Sequence, residues 1–125
     1  MIALDTSSIV AYLAGEKGVD VAAVDMALQH QHAFLPPVVL SELLSDPKLP
    51  KGVVELVKGL PILPLSNGYW ERVGVLRSKI ITKGHKAKLA DSLIAQTCID
   101  HDVPLVTRDH DFRHFSRYGG LKLLF

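Results

Sequence analysis

Short apolar runs alternate with longer helical patterns along the chain, and this alternation constrains the fold more than any other feature. Ile2–Leu4 reads as a short buried strand, followed by a helix through Val10 and Leu13 that ends near Gly15. Val19–Gln29 reads as a second helix, with Val21, Val24 and Leu28 on one face. Residues 33–35 read as a second strand stopped by Pro36. Pro37 suits the first turn of a helix, where its missing N–H costs nothing; that helix carries Val39, Leu40, Leu43 and Leu44 and stops before Pro47. A helix over 53–58 follows. Ile62 and Leu63 lie between Pro61 and Pro64, so they form at best a short or edge strand. Residues 67–82 read as a long helix with Trp70, Val73, Leu76 and Ile80 at helical spacing, and 87–101 as another. A strand over 104–106, a short helix over 109–115, a Gly119-Gly120 turn and a last strand over 121–124 complete the chain. Strands joined by helices imply parallel pairing. The expected fold is a single α/β domain over residues 1–125, a three-layer arrangement with a mostly parallel central sheet and helices on both faces.

Composition supports one core. The chain has 125 residues, 48% of them apolar and 22% charged, with a net charge of +1. Bulk charge therefore selects no partner, and any basic surface is local. Cys98 is the only cysteine, which excludes an internal disulfide and a cysteine-based zinc motif. The first residues lack a basic segment, a long apolar stretch and a cleavage site, and no apolar run is long enough to span a bilayer. The expectation is a soluble, cytoplasmic protein with no membrane partner.

In parallel α/β sheets, ligands bind beyond the carboxyl ends of the strands. Asp5 directly follows the first strand, and Asp109 comes three residues after Val106. Glu42 lies in the helix that starts at the end of the second strand. Asp91 lies near the start of the helix before the 104–106 strand, and its helical neighbours Ile94, Ala95 and Cys98 are apolar. Each acid also has a plainer reading. Asp5 and Asp109 can cap helices, and Glu42 can be a solvated side chain. Asp91 is harder to explain in that way, because a carboxylate facing a core needs a partner and only Lys88 stands nearby in helical register. If the four converge, two carboxylates ~4 Å apart repel by ~4 kcal/mol at an effective dielectric near 20. Such a cluster protonates or binds a cation. All-oxygen sites suit magnesium or manganese, and a metal so held activates water and polarises a phosphoryl oxygen.

These motifs resemble those of PIN-domain ribonucleases, of the kind found in VapC toxins. The matching pieces are Ile2-Ala3-Leu4-Asp5-Thr6-Ser7, Ser41-Glu42-Leu43-Leu44, Leu89-Ala90-Asp91-Ser92-Leu93-Ile94-Ala95 and Thr107-Arg108-Asp109-His110-Asp111-Phe112. Each alone is weak; the four in order, over essentially the whole chain, are specific. The resemblance implies a PIN fold and a magnesium- or manganese-dependent endoribonuclease that leaves 5′-phosphate and 3′-hydroxyl ends. It implies catalytic Asp5, Glu42, Asp91 and Asp109. Asp5 and Asp91 would be direct metal ligands, with Glu42 and Asp109 binding directly or through water. Asp111 would assist, and Ser7 and Thr107 would hydrogen-bond a carboxylate or the attacking water. It also implies a homodimer and a small separate antitoxin, which commonly lays a peptide over the active site and inserts a basic side chain among the acids.

The run Arg77, Lys79, Lys83, His85, Lys86, Lys88 borders the expected site. Lys83, His85, Lys86 and Lys88 are candidates for RNA-backbone contact, against the alternative of a solvated helix face. The run contains no aromatic residue, so base stacking is not expected there. Trp70 and Phe34 are expected in core or interface packing. His30 and His32, and His110 and His114 at i, i+4, lack a third ligand in clear register, so surface histidines are the preferred reading over a zinc site. A haloacid-dehalogenase-type phosphatase would need an acid where Ser7 stands, and a receiver domain would need an acid pair near the first strand. The remaining alternatives are a housekeeping or DNA-directed nuclease of the same type and a non-catalytic nucleic-acid-binding module.

Overall fold

The computed structural model describes residues 1–125. Its elements in chain order are β1 (Ile2–Leu4), α1 (Thr6–Leu13), α2 (Val19–Gln29), β2 (Ala33–Phe34), α3 (Pro37–Leu44), α4 (Lys51–Lys58), α5 (Tyr69–Thr82), α6 (Leu89–His101), β3 (Leu105–Val106), a 3-10 turn (His110–Phe112) and α7 (Arg113–Gly119). The three strands form one parallel sheet in the order β2-β1-β3. In register, Ile2 faces Ala33, and Leu4 faces Val106. The strands are short, and single parallel bridges widen the sheet on each side, Leu35 to Ile62 and Leu105 to Leu123. The expected edge strand at Ile62 is thus one bridge, and the expected last strand over 121–124 is reduced to another at Leu123. Backbone bonds from Leu105 N–H to Lys122 O (2.9 Å) and from Leu124 N–H to Leu105 O (3.0 Å) hold it.

Helices cover both faces of the sheet, giving the expected three-layer α/β arrangement. α1 packs on α2 and α3, while α5 packs on α6 and α7. Between them lies one core that includes Leu4, Leu35, Val39, Ile80, Ile94, Leu105, Phe112 and Phe115, all with less than 2% exposure. Burial of such side chains stabilises by roughly 1.5–3 kcal/mol each. Pro37 occupies the first turn of α3 behind Pro36, as the sequence predicts. α5 and α6 each begin two residues later than their apolar patterns suggest, because Gly68 and Lys88 hold the positions before them in non-helical conformations. The short helix over 109–115 resolves into the 3-10 turn and α7. Gly120, at φ +82°, ends α7 in a left-handed conformation that suits glycine.

Of the core and interface packing expected for Trp70, the core is excluded. This residue is 64% exposed. Tyr69 takes the buried position instead and donates its hydroxyl to Leu93 O at 2.7 Å. Both residues fit the helical period, and only packing against α6 decides which one turns inward. Phe34 is half-buried against the core. No helix is long and apolar enough to cross a membrane.

Candidate metal centre at the carboxyl edge of the sheet

Because β1 and β3 are parallel, the residues after them emerge at one edge. Asp5 N–H still belongs to the sheet, bonding Val106 O at 3.0 Å. The Asp5 side chain does not cap α1. Its Oδ2 accepts from Ser7 Oγ (2.6 Å) and Thr107 Oγ1 (2.7 Å), so a buried carboxylate is clamped by two neutral hydroxyls. Thr107 Oγ1 also accepts from Asp109 N–H at 3.0 Å. One hydroxyl therefore joins the ends of both strands. Asp109 does act as a cap: its Oδ1 accepts from Asp111 N–H at 2.9 Å. The cap fixes the carboxylate and turns the chain so that Asp111 points the same way.

Asp91 stands in the first turn of α6, which runs back along the sheet and so starts at the same edge. It is half-buried and makes no hydrogen bond to protein. Burial, then the charges of Asp109 and Asp5, push its carboxyl up to about 6; Lys88 opposes this and Glu42 adds to it. Of the four acids singled out in the sequence, three thus act on the carboxyl of the fourth. The tightest grouping is Asp91, Asp109 and Asp111, which bring one oxygen each within 4.8 Å of one another. Asp111 consequently stands nearer the centre than an assisting role suggests. Glu42 is exposed on α3, and its Oε1 accepts from Thr6 Oγ1 at 2.7 Å.

The donor set fits a hard cation. Opposite oxygens around an octahedral magnesium at 2.0–2.1 Å stand about 4.2 Å apart. With one oxygen each of Asp91, Asp109 and Asp111 within 4.8 Å of one another, the three carboxylates surround a position that such an ion would occupy. A cation among these oxygens also removes the repulsion that raises Asp91.

Two residues of the site escape sequence reasoning. Arg108 donates from Nε to Asp20 Oδ2 (2.8 Å) and from Nη2 to Asp20 Oδ1 (2.9 Å), and Ser8 Oγ donates to the same carboxylate at 2.9 Å. This forked pair ties the Thr107–Asp109 segment to the start of α2. The Arg108 hydrogen bonds hold Asp20 down at about 2. Gly18 makes room for the pair, because at its φ of +151° a Cβ would lie 2.6 Å from Asp20 Oδ1. Nothing local in the sequence links positions so far apart. Thr6, which orients Glu42, sits inside the Asp5-Thr6-Ser7 motif and was readable in principle.

The basic loop between α5 and α6 borders the acids. Lys83, Lys86 and Lys88 are exposed. Arg77 is engaged, its Nε donating to Ala87 O at 2.7 Å. The loop's lack of aromatic residues is made good by α7. His114 stacks on His85 with ring centroids 3.9 Å apart, and Tyr118 stacks at 5.6 Å. His114 thus pairs with His85 rather than with His110. His30 and His32 lie at 6.1 Å and tilted, away from the acids.

Fold and site together define a class: a small parallel α/β domain whose acids gather at the carboxyl edge of its sheet. The chain belongs to the PIN domain family, whose model matches residues 2–118. PIN domains are metal-dependent nucleases. Among solved structures, VapBC2 from Rickettsia felis bound to a DNA fragment from their promoter matches with TM-score 0.72 at 23% identity, covering 98% of this chain and 97% of that one. FitAcB from Neisseria gonorrhoeae matches with TM-score 0.73 at 22% identity, covering 100% and 97%. VapBC-5 from Mycobacterium tuberculosis, a member of the VapBC family of toxin–antitoxin systems, matches with TM-score 0.66 at 18% identity, covering 98% and 95%. At these identities the likeness is one of fold. No curated protein sequence matches the chain.

Proposed function

We propose that this PIN domain is a magnesium- or manganese-dependent endoribonuclease and the toxin of a toxin–antitoxin pair. One observation carries the catalytic part: Asp91, Asp109 and Asp111 converge within 4.8 Å beside Asp5 and Glu42. Asp91, Asp109 and Asp111 would hold the ion, with Asp5 as a further ligand and Glu42 reaching it through water. When bound, the ion supplies an activated water and neutralises charge on the scissile phosphate. The chain's own residues do the positioning. Ser7 and Thr107 hold Asp5 through Oδ2, which leaves Oδ1 to orient water or accept its proton. Lys83, Lys86 and Lys88 attract the phosphate backbone.

The toxin reading rests on the fold shared with VapBC and FitAcB and on a groove beside the acids. Val10 and Leu13 of α1, Leu43 of α3 and Leu49 of the loop after it line a cavity of about 260 Å³ together with Glu42 and Asp46. An antitoxin segment with apolar anchors and a basic side chain suits that lining. A homodimer is part of the proposal. Trp70 and Ile81 are both exposed and fall on nearly the same side of α5, about three turns apart. The proposed setting is cytoplasmic.

The test is cleavage of RNA with magnesium or manganese by the parent and by Asp91→Asn and Asp111→Asn. The parent should leave 5′-phosphate ends, and each variant should lose activity at least a hundredfold while keeping its circular dichroism spectrum. Cleavage of DNA but not RNA would replace the ribonuclease reading with a DNA-directed one. Undiminished cutting by both variants would overturn the site.

A further inference from the structure

We propose that the stack of His85, His114 and Tyr118 is a platform for unpaired bases of RNA entering the acidic centre. This rests on the nuclease reading above and names a substrate contact for it. The stack is assembled from two elements, the loop before α6 and α7. His85 meets His114 at 3.9 Å with planes 12° apart, and meets Tyr118 at 5.6 Å with planes 26° apart. All three rings are half-buried, so part of each stays open to solvent.

Two imidazoles stacked this closely repel when both are charged. Burial, with His85 and Arg113 nearby, holds His114 below the ordinary histidine value. The stacked rings present an aromatic surface, on which any base stacks through its π-face. The surroundings are cationic. Lys83 Nζ lies 5.8 Å and the Arg117 guanidinium 5.3 Å from the Tyr118 ring centre. Lys86 and Arg113 are exposed on the same two segments. None of these four cations has a carboxylate within 4.0 Å; the chain's ion pairs lie elsewhere, at Arg72, Arg108 and Lys122. Cations without counter-ions around a stacked aromatic set match the two chemistries of a single strand, phosphate and base. The platform also adjoins the centre. The Asp111 charge acts on His114, and Lys88, three residues after His85, acts on Asp91.

The experiment uses a labelled, unstructured RNA of about 10 nucleotides with a central 2-aminopurine, in metal-free buffer so that nothing is cut. The parent should bind and quench the 2-aminopurine. His85→Ala and His114→Ala should each weaken binding about tenfold and lose the quench. His114→Phe, which keeps a stacking ring, should stay within about twofold of the parent. Thermal melts establish that each variant is folded. Parent-like binding by both alanine variants would overturn the platform. So would an equal loss in His114→Phe, or an equal sensitivity with duplex RNA, whose bases are covered. Cleavage with manganese reads the nuclease separately. Cutting with parent-like KM in both alanine variants overturns the platform alone, whereas platform-dependent binding without cutting supports the platform and overturns the nuclease.

Discussion

A carboxyl raised to about 6 on a half-buried helix turn makes Asp91 the residue on which metal, proton and stability meet. Below that value the proton competes with the ion. Manganese affinity should therefore fall by up to about tenfold per pH unit below pH 6, as titration calorimetry from pH 5 to 7.5 would read. The same shift acts on the metal-free fold. The folded state holds the Asp91 proton more tightly than the unfolded chain, so the penalty is absent at low pH and grows as pH rises from about 4 to about 6. Metal-free protein should accordingly be more stable at pH 5 than at pH 7. Asp91→Asn, which is never charged, should stabilise the metal-free protein at pH 7 by on the order of 1–2 kcal/mol, while abolishing metal binding; urea unfolding measures both effects. Asp20 has the opposite sign. Its carboxyl is held at about 2 by Arg108, so its contribution is present above about pH 4 and lost as pH falls through 2. Asp20→Asn should destabilise at pH 7 by about 1–2 kcal/mol, discounted because Arg108 is partly exposed.

At the scale of elements, close helix contacts hold the molecule together around strands of two or three residues. At the contact of α7 with α5, a Cβ on Gly119 would meet Leu76 Cδ1 at 2.5 Å. Gly119→Val should therefore destabilise by roughly 1–3 kcal/mol, read as a lowered urea midpoint. It should also loosen the His85–His114 stack, because α7 carries His114. The order of elements was legible from the period of apolar residues, and Asp5 and Asp109 were legible from the strand-end rule. Asp91 was legible because it interrupts an apolar face. The choice of Tyr69 over Trp70 was not, since both satisfy the period and only the partner surface distinguishes them. Nor was the Asp20–Arg108 fork, which joins segments that no local pattern connects. The elevation of Asp111 was hidden for a related reason: its direction depends on the turn that Asp109 caps.

For the whole molecule, the sheet edge joins acids, basic loop and apolar groove within one face. If the chain takes RNA as proposed, binding should weaken steeply with salt, because Lys83, Lys86, Arg113 and Arg117 offer charge without partners. A plot of log affinity against log salt should lose slope in Lys83→Gln. If the groove beside Glu42 receives an antitoxin, Leu13→Asp should abolish inhibition by that partner while RNA cutting by the free protein persists. Chromatography of the two proteins together would show whether the complex is lost. The hydroxyl clamp on Asp5 has a consequence for how such a chain ages in a genome. Ser7, Thr6 and Thr107 are neutral, so the scaffold of the site survives when an acid is replaced, and at Asp91 the fold even gains. At Asp91, a one-base change from aspartate to asparagine thus meets no resistance from folding of the metal-free protein. In a lineage released from selection for cutting, the acids would be among the first residues to drift, long before the domain stopped folding. On the proposed function, it is cutting more than folding that keeps Asp5, Glu42, Asp91, Asp109 and Asp111 together.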